Sequence, residues 1–209
     1  MPVDEIIKRG RLFVLSAPSG SGKSTIKDIV MERMPELIYS VSYTTRPPRP
    51  GEVDGRDYNF VTVDDFKAMI EDGRFLEWAE VFGRYYGTGR DWVDSHLAAG
   101  QNVIADLDVV GAASVRRLMP EAVLIFMVPP TAAELRRRLV DRHTETDEEI
   151  ARRLNEAKTE VDSRGIFDYL LINGDIEKTA QELIAVINGD PGWSMTETET
   201  FWPDFFADR

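Results

Sequence analysis

The sequence predicts an α/β fold built on a parallel sheet with crossover helices and interrupted by a module of antiparallel or mixed strands. Three observations predict it. A short apolar run, Arg11 to Ser16, ends in the glycine-rich turn APSGSGKS and passes into helical spacing. From Leu37 to Gly89 the texture changes to short β-rich pieces between turn-rich segments. Beyond that stretch helical and strand patterns alternate, as crossover connections in a parallel sheet require.

The elements follow in order. RLFVLS is the first strand, and Thr25 to Met34 is a helix through Ile26, Ile29, Val30 and Met34, stopped by Pro35. IYSVSY, YNFVTV and FLEWAEVFG are the β-rich pieces, separated by TTRPPRPGEVDGRD and by one helix over Asp64 to Glu71. A helix near Asp91 to Ala99, the strand NVIADLD, a helix from Val109 to Met119 and the strand AVLIFMV come next. Thr131 with Glu134 three residues on is a capping box that starts a helix to about Asp141. A second charged helix spans about Thr146 to Asp162, and the polar DRHTETD between the two has few apolar anchors, so mobility is expected there. FDYLLIN is the last strand and Ile176 to Ile187 the closing helix. From Asn188 a tail of 22 residues carries five acids, one arginine, two tryptophans and three phenylalanines, and the aromatics argue that it docks on its own core or a neighbouring subunit.

Composition narrows the function. The 209 residues are 43% hydrophobic and 30% charged, which fits a folded globular chain and excludes wholesale disorder. The longest apolar runs, Leu12 to Ala17 and Ala122 to Pro130, fall far short of the roughly 20 residues that cross a bilayer. The first ten residues lack the apolar centre of a secretory signal, so a cytoplasmic location is expected. No cysteine is present, which excludes disulfides, thiolate catalysis and cysteine-based zinc sites. A net charge of −12 disfavours a general nucleic-acid binder, although arginines cluster locally at Arg46, Arg49 and Arg56 and at Arg136 to Arg138 with Arg142.

APSGSGKS matches the Walker A pattern except for Ala17 at the first glycine position, and it lies after a strand and before a helix. Gly20 and Gly22 let successive N–H groups turn inward at the positive end of the helix dipole. Lys23 would reach β- and γ-phosphate oxygens, and Ser24 would offer its hydroxyl to Mg²⁺. The expected ligand is ATP.

Other residues are ambiguous alone. Pro47, Pro48 and Pro50 restrict the loop that carries Arg46 and Arg49, and fixed guanidinium forks suit a phosphate; a plain surface turn is the alternative. Tyr58 and Tyr86 alone would more often be strand-face residues than ligands. Asp106 and Asp108 alternate along a strand toward the end where open α/β sheets bind ligands, although either could cap the following helix.

The order of these blocks resolves the ambiguity. The phosphate loop, TTRPPRPGEVDGRDY, the E-x-A-x-x-x-G-x-Y-Y-G-T block, DLDVVGA, Pro129-Pro130, RLVDRHTETDEEIARRL and FDYLLIN follow one another as in guanylate kinase, which the sequence resembles from about Arg11 to Ile187. The resemblance implies an enzyme that transfers a phosphoryl group from ATP to GMP, giving ADP and GDP in purine nucleotide metabolism. It implies a P-loop NTPase three-layer core with a parallel sheet, an inserted mixed-sheet GMP-binding module and a helical lid. The expected boundaries are 1–41, 91–130 and 163–187 for the core, 42–90 for the GMP module, 131–162 for the lid region and 188–209 for the tail. By the same resemblance Ala17, Pro18, Ser19, Gly20, Ser21, Gly22, Lys23, Ser24, Thr25 and Arg138 hold ATP. Ser42, Arg46, Arg49, Tyr58, Glu77, Tyr86, Thr88 and Asp108 hold GMP, Glu77 and Ser42 on the base and the arginines and tyrosines on the phosphate. Lys23, Arg46, Arg142 and Arg153 form the catalytic set. Mg²⁺ is the implied cofactor, held directly by Ser24 and through water by Asp106. The implied partners are the two nucleotides, with no nucleic acid and no membrane, and self-association is left open.

Two departures touch nucleotide positions. Where the family has D-x-Q-G the chain reads Asp108-Val109-Val110-Gly111, and where it has N-D-D the chain reads Asn173-Gly174-Asp175. Two other readings remain open at this level. Guanylate-kinase-like interaction modules have lost catalysis, but they lack the intact loop and lid arginines seen here. A kinase for another phosphorylated acceptor, such as a ribose bisphosphate, would not need Glu77, Ser42 and Asp108 as base readers.

Overall fold

Apolar alternation and turn chemistry place nine short strands and seven α-helices along the described residues of a computed structural model, which are 8–81, 83–141, 147–189 and 205. The chain falls into two units. One comprises Met1–Phe13, Glu36–Asp106 and Val110–Ala122; the other comprises Val14–Pro35, Leu107–Val109 and Val123–Arg209. Strand β1 (Leu12–Ser16) belongs to both, since its first two residues lie in the first unit and its last three in the second.

In the first unit β2 (Ile38–Tyr39) runs parallel to β7 (Val103–Asp106), pairing Ile38 with Val103 and Tyr39 with Ile104. The start of β1 follows β7, anchored by Val103 N–H donating to the Arg11 carbonyl at 3.0 Å. A separate four-stranded mixed sheet has the order β4-β3-β6-β5, from β3 (Tyr43–Thr44), β4 (Asn59–Phe60), β5 (Phe75–Val81) and β6 (Arg84–Gly89). Helix α2 (Val63–Glu71) begins at Thr62, whose hydroxyl accepts the Asp65 N–H, and it buries Phe66. The Phe66 ring stacks on Phe75 at 4.4 Å and on Tyr85 at 5.4 Å, a cluster that fixes the sheet face. Helices α3 (Arg90–Ala98) and α4 (Val109–Leu118) flank β7 in sequence.

The second unit holds β8 (Val123–Val128), buried along its whole length, beside β9 (Tyr169–Ile172) in parallel register. Continuous rather than alternating burial is what a parallel strand covered on both faces requires. With β1 common to both units the strand order is β2-β7-β1-β8-β9. Helix α1 (Lys23–Arg33) packs against α7 (Ile176–Asn188), and Arg33 clasps Glu177 with two bonds of 2.6 and 2.7 Å. Helix α5 (Ala132–Val140) opens on the predicted cap, Thr131 accepting the Glu134 N–H, and buries Leu135 and Leu139 against Ile150 and Ala157 of α6 (Asp147–Asp162). A 3₁₀ helix, Arg164–Ile166, leads into β9.

Three local expectations are corrected. IYSVSY is not one β-piece: Ile38 and Tyr39 join the parallel sheet while Tyr43, with Thr44 just beyond the piece, joins the mixed one. RYYGTG, unassigned from sequence because two of its six residues are glycine, is strand β6 and the centre of the mixed sheet's pairing. Asp108 is not on a strand with Asp106, because β7 ends at Asp106 and α4 starts at Val109. Leu107 between them is held by its N–H to the Leu15 carbonyl and by its carbonyl to the Ser16 hydroxyl.

Candidate active site

All five β1 residues are buried, so the chain leaves the sheet at Ser16 in a fixed direction and must turn at once to start α1. Two glycines make that turn. Gly20 has φ +90° and Gly22 φ +87°, left-handed values that a side chain resists. A Cβ on Gly22 would also stand 2.6 Å from the Asn173 amide nitrogen. Gly22 is the N-cap of α1, and no side chain caps this helix or places an acid in its first turn. The first N–H groups of α1 and its positive dipole end are therefore offered to an anion. Residues Ala17 to Thr25, with Glu160, line a cavity of about 380 Å³.

A half-buried network fixes the loop from behind. Arg138 donates from Nε to Glu134 at 2.7 Å, from Nη1 to the Ser21 carbonyl at 3.3 Å and from Nη2 to the Asn173 carbonyl at 2.8 Å. The Asn173 amide donates to the same Ser21 carbonyl at 2.7 Å. Arg137 and then Arg138 hold the Glu134 carboxyl down to about 2, so this anchor stays charged at any working pH. Arg153 reaches the loop from α6 and hydrogen-bonds the Ser19 hydroxyl. Arg142 and most of DRHTETD lie outside the described residues.

The first unit assembles the residues expected around a second phosphate. Arg46 forms a two-bond fork with Glu52, at 2.9 and 2.8 Å, and a 2.8 Å bond to the Pro47 carbonyl. Its guanidinium lies 5.3 Å from the Tyr58 ring centre and 5.8 Å from that of Phe60, and Tyr58 meets Tyr86 edge-on at 6.1 Å. The bond from Arg46, then the Arg49 N–H, draws the Glu52 carboxyl down to about 2. Burial is the main cause that raises the Tyr58 hydroxyl above its ordinary range, keeping it a donor. Arg49 is fixed by its backbone N–H to Glu52 at 2.7 Å, with its side chain exposed. Glu77 and Thr88 are register partners on β5 and β6, and the Thr88 hydroxyl donates to the Glu77 carboxylate at 2.7 Å. Ser42, half-buried between β2 and β3, accepts the Asn59 N–H at its carbonyl.

Ser24, exposed in the first turn of α1, and Asp106, half-buried at the end of β7, are oxygen donors of the kind a hard divalent ion takes. Among the described residues no three histidine or acid side chains form a preassembled metal cluster. Asp108 is exposed just ahead of α4, in the unit that holds the loop. Of the two departures, Val110 is 64% exposed and Gly174 has little room, since a Cβ there would meet Pro130 at 3.0 Å.

Sequence reasoning missed the supporting acids and amide. Glu52, six residues from Arg46 inside the proline-rich block, and Glu134, four residues before Arg138 on the same helix, had local signals, whereas Asn173 and Glu160 come from elements far along the chain from the loop.

A family model described as guanylate kinase matches residues 9–189. Guanylate kinase of Nocardia farcinica is 50% identical over 184 residues, covering 87% of this chain and 95% of the relative. Guanylate kinase of Rubrobacter xylanophilus is 46% identical over 190 residues, covering 88% and 100%. The crystal structure of guanylate kinase from Anaplasma phagocytophilum superposes with a TM-score of 0.71 at 30% identity, over 94% of this chain and 97% of that one. By these matches the chain belongs to the guanylate kinase family and is a phosphotransferase.

Proposed function

We propose that this chain transfers the γ-phosphoryl group of ATP to GMP, with Mg²⁺, in the cytoplasm. The observation that carries the choice of acceptor is Glu77, an acid held on β5 by the Thr88 hydroxyl. Guanine presents two adjacent donors, N1–H and the N2 amine, and an ionised carboxylate accepts both. Ser42 can donate to O6 and Asp108 adds to base reading. Arg46, Arg49, Tyr58 and Tyr86 take the GMP phosphate, and Glu52 pre-orients Arg46. The loop Ala17 to Thr25 takes the ATP phosphates with Arg138 bracing it. Lys23, Arg46, Arg142 and Arg153 offset charge as the phosphoryl group moves. Ser24, directly, and Asp106, through water, would hold Mg²⁺, which when bound neutralises phosphate charge. Residues 42–90 act as the GMP module, 131–162 as the lid and the remainder to 187 as the core.

A steady-state assay of ADP release with ATP and a panel of GMP, AMP, CMP, UMP and ribose bisphosphate tests this. GMP is expected to be the preferred acceptor, with one GDP formed per ADP. Preference for any other acceptor would overturn it.

A further inference from the structure

An anion site is expected to exclude acids from its wall, yet Glu160 lines the phosphate-loop cavity. It stands on α6 seven residues after Arg153, two helical turns along one face, so the helix that brings a cation to Ser19 also brings a carboxylate. The helix is fixed by burial of Ile150, Ala157 and Val161. Oε2 of Glu160 is buried and, among the described residues, has no hydrogen-bond partner. Burial raises the carboxyl to about 7; Lys23 on α1 opposes the rise, and Asp108 ahead of α4 and Glu156 on the same helix add to it. From α5, Arg138 is engaged by Glu134, Ser21 and Asn173, and from the 3₁₀ helix Arg164 donates to the Val161 carbonyl.

We propose that Glu160 is a positioning residue for Lys23 that restrains anion binding: its carboxylate attracts the Lys23 ammonium while the loop is empty, and an entering triphosphate displaces it. The inference rests on the reading of the loop as the ATP site. Two like-charged groups cannot share the cavity cheaply, so the carboxylate oxygen takes one proton from solvent as the nucleotide enters. No other bond is made or broken, and the neutral acid can donate to a phosphate oxygen. Below pH 7 the carboxyl already carries its proton and the restraint vanishes. Above it, each step in pH makes binding weaker until the carboxyl also ionises in the complex.

Calorimetric titration of MgATP into the full chain and into Glu160→Gln, in two buffers of different ionisation enthalpy, tests this at pH 6.0, 7.5 and 8.5. At pH 7.5 wild type is expected to take up more protons than Glu160→Gln, by roughly half a proton or more per nucleotide bound. Glu160→Gln should bind about tenfold tighter than wild type at pH 8.5 and equally at pH 6.0. Equal proton counts and parallel pH slopes would overturn the proposal, as would loss of MgATP affinity in Glu160→Gln at every pH, which would make the carboxylate a supporting ligand. Should Glu160→Gln not fold, absence of proton uptake by wild type at pH 7.5 overturns it alone. Undiminished MgATP binding in Lys23→Met would instead remove the loop assignment, and the proposal with it.

Discussion

Glu52 holds in place both arginines proposed to take the GMP phosphate. It takes two N–H groups of Arg46 and the backbone N–H of Arg49, so both arginines of the cradle depend on it. Its carboxyl is held near 2, below its ordinary value of 4.5, so the sign is that of a depressed acid. The contribution is complete above about 4.5 and is lost as pH falls toward 2. Glu52→Ala is expected to raise KM for GMP about tenfold or more, with KM for ATP nearly unchanged. A steady-state comparison that finds both KM values unaltered would remove Glu52 from the cradle. Arg46, Tyr58 and Tyr86 were legible in the sequence only through the order of family blocks. Their proximity depends on strand pairing across residues 43 to 89, which no local pattern encodes.

At the scale of elements, the strand-loop-helix at 12–33 was readable because its signals are local: an apolar run, a glycine turn and helical spacing. Its bracing was not, because Arg138 and Asn173 come from α5 and the end of β9, more than 100 residues away. Gly22→Ala would put a Cβ against Asn173 at a left-handed φ. The expected result is a folded protein with nucleotide binding weakened at least tenfold, because the loop must move off the Ser21 clamp. Unchanged MgATP affinity in Gly22→Ala would show that the clamp does not shape the loop. Strand β6 illustrates the opposite case. Gly87 was not a breaker there, because a Cβ at that position would meet Phe75 at 2.9 Å, so close packing asks for glycine.

For the whole molecule, one chain passes through both sheets, and the passage at 40–42 is where pattern reading failed. A six-residue β-rich pattern cannot reveal that its first two residues pair with β7 while its last, with Thr44 just beyond it, pairs with β6. The tail was expected to dock, and Phe205 is only 1% exposed; the tail's other residues from 190 on lie outside the described residues. Phe205→Ala is expected to cost about 3 kcal/mol or more of stability while the folded enzyme keeps its kcat. Equal thermal midpoints for Phe205→Ala and wild type would show that the tail's burial carries no weight. No described helix is long and apolar enough to cross a membrane. What the whole molecule must do is choose GMP, and Glu77 is the residue assigned that choice. The most direct measurement is kcat/KM for GMP and for AMP in wild type and in Glu77→Ala. Adenine sets an acceptor at N1 against the carboxylate, so wild type should favour GMP strongly. Glu77→Ala should lose GMP activity by on the order of 100-fold and narrow the ratio. A GMP-to-AMP ratio left unchanged by Glu77→Ala would contradict the assignment of guanine recognition to this site.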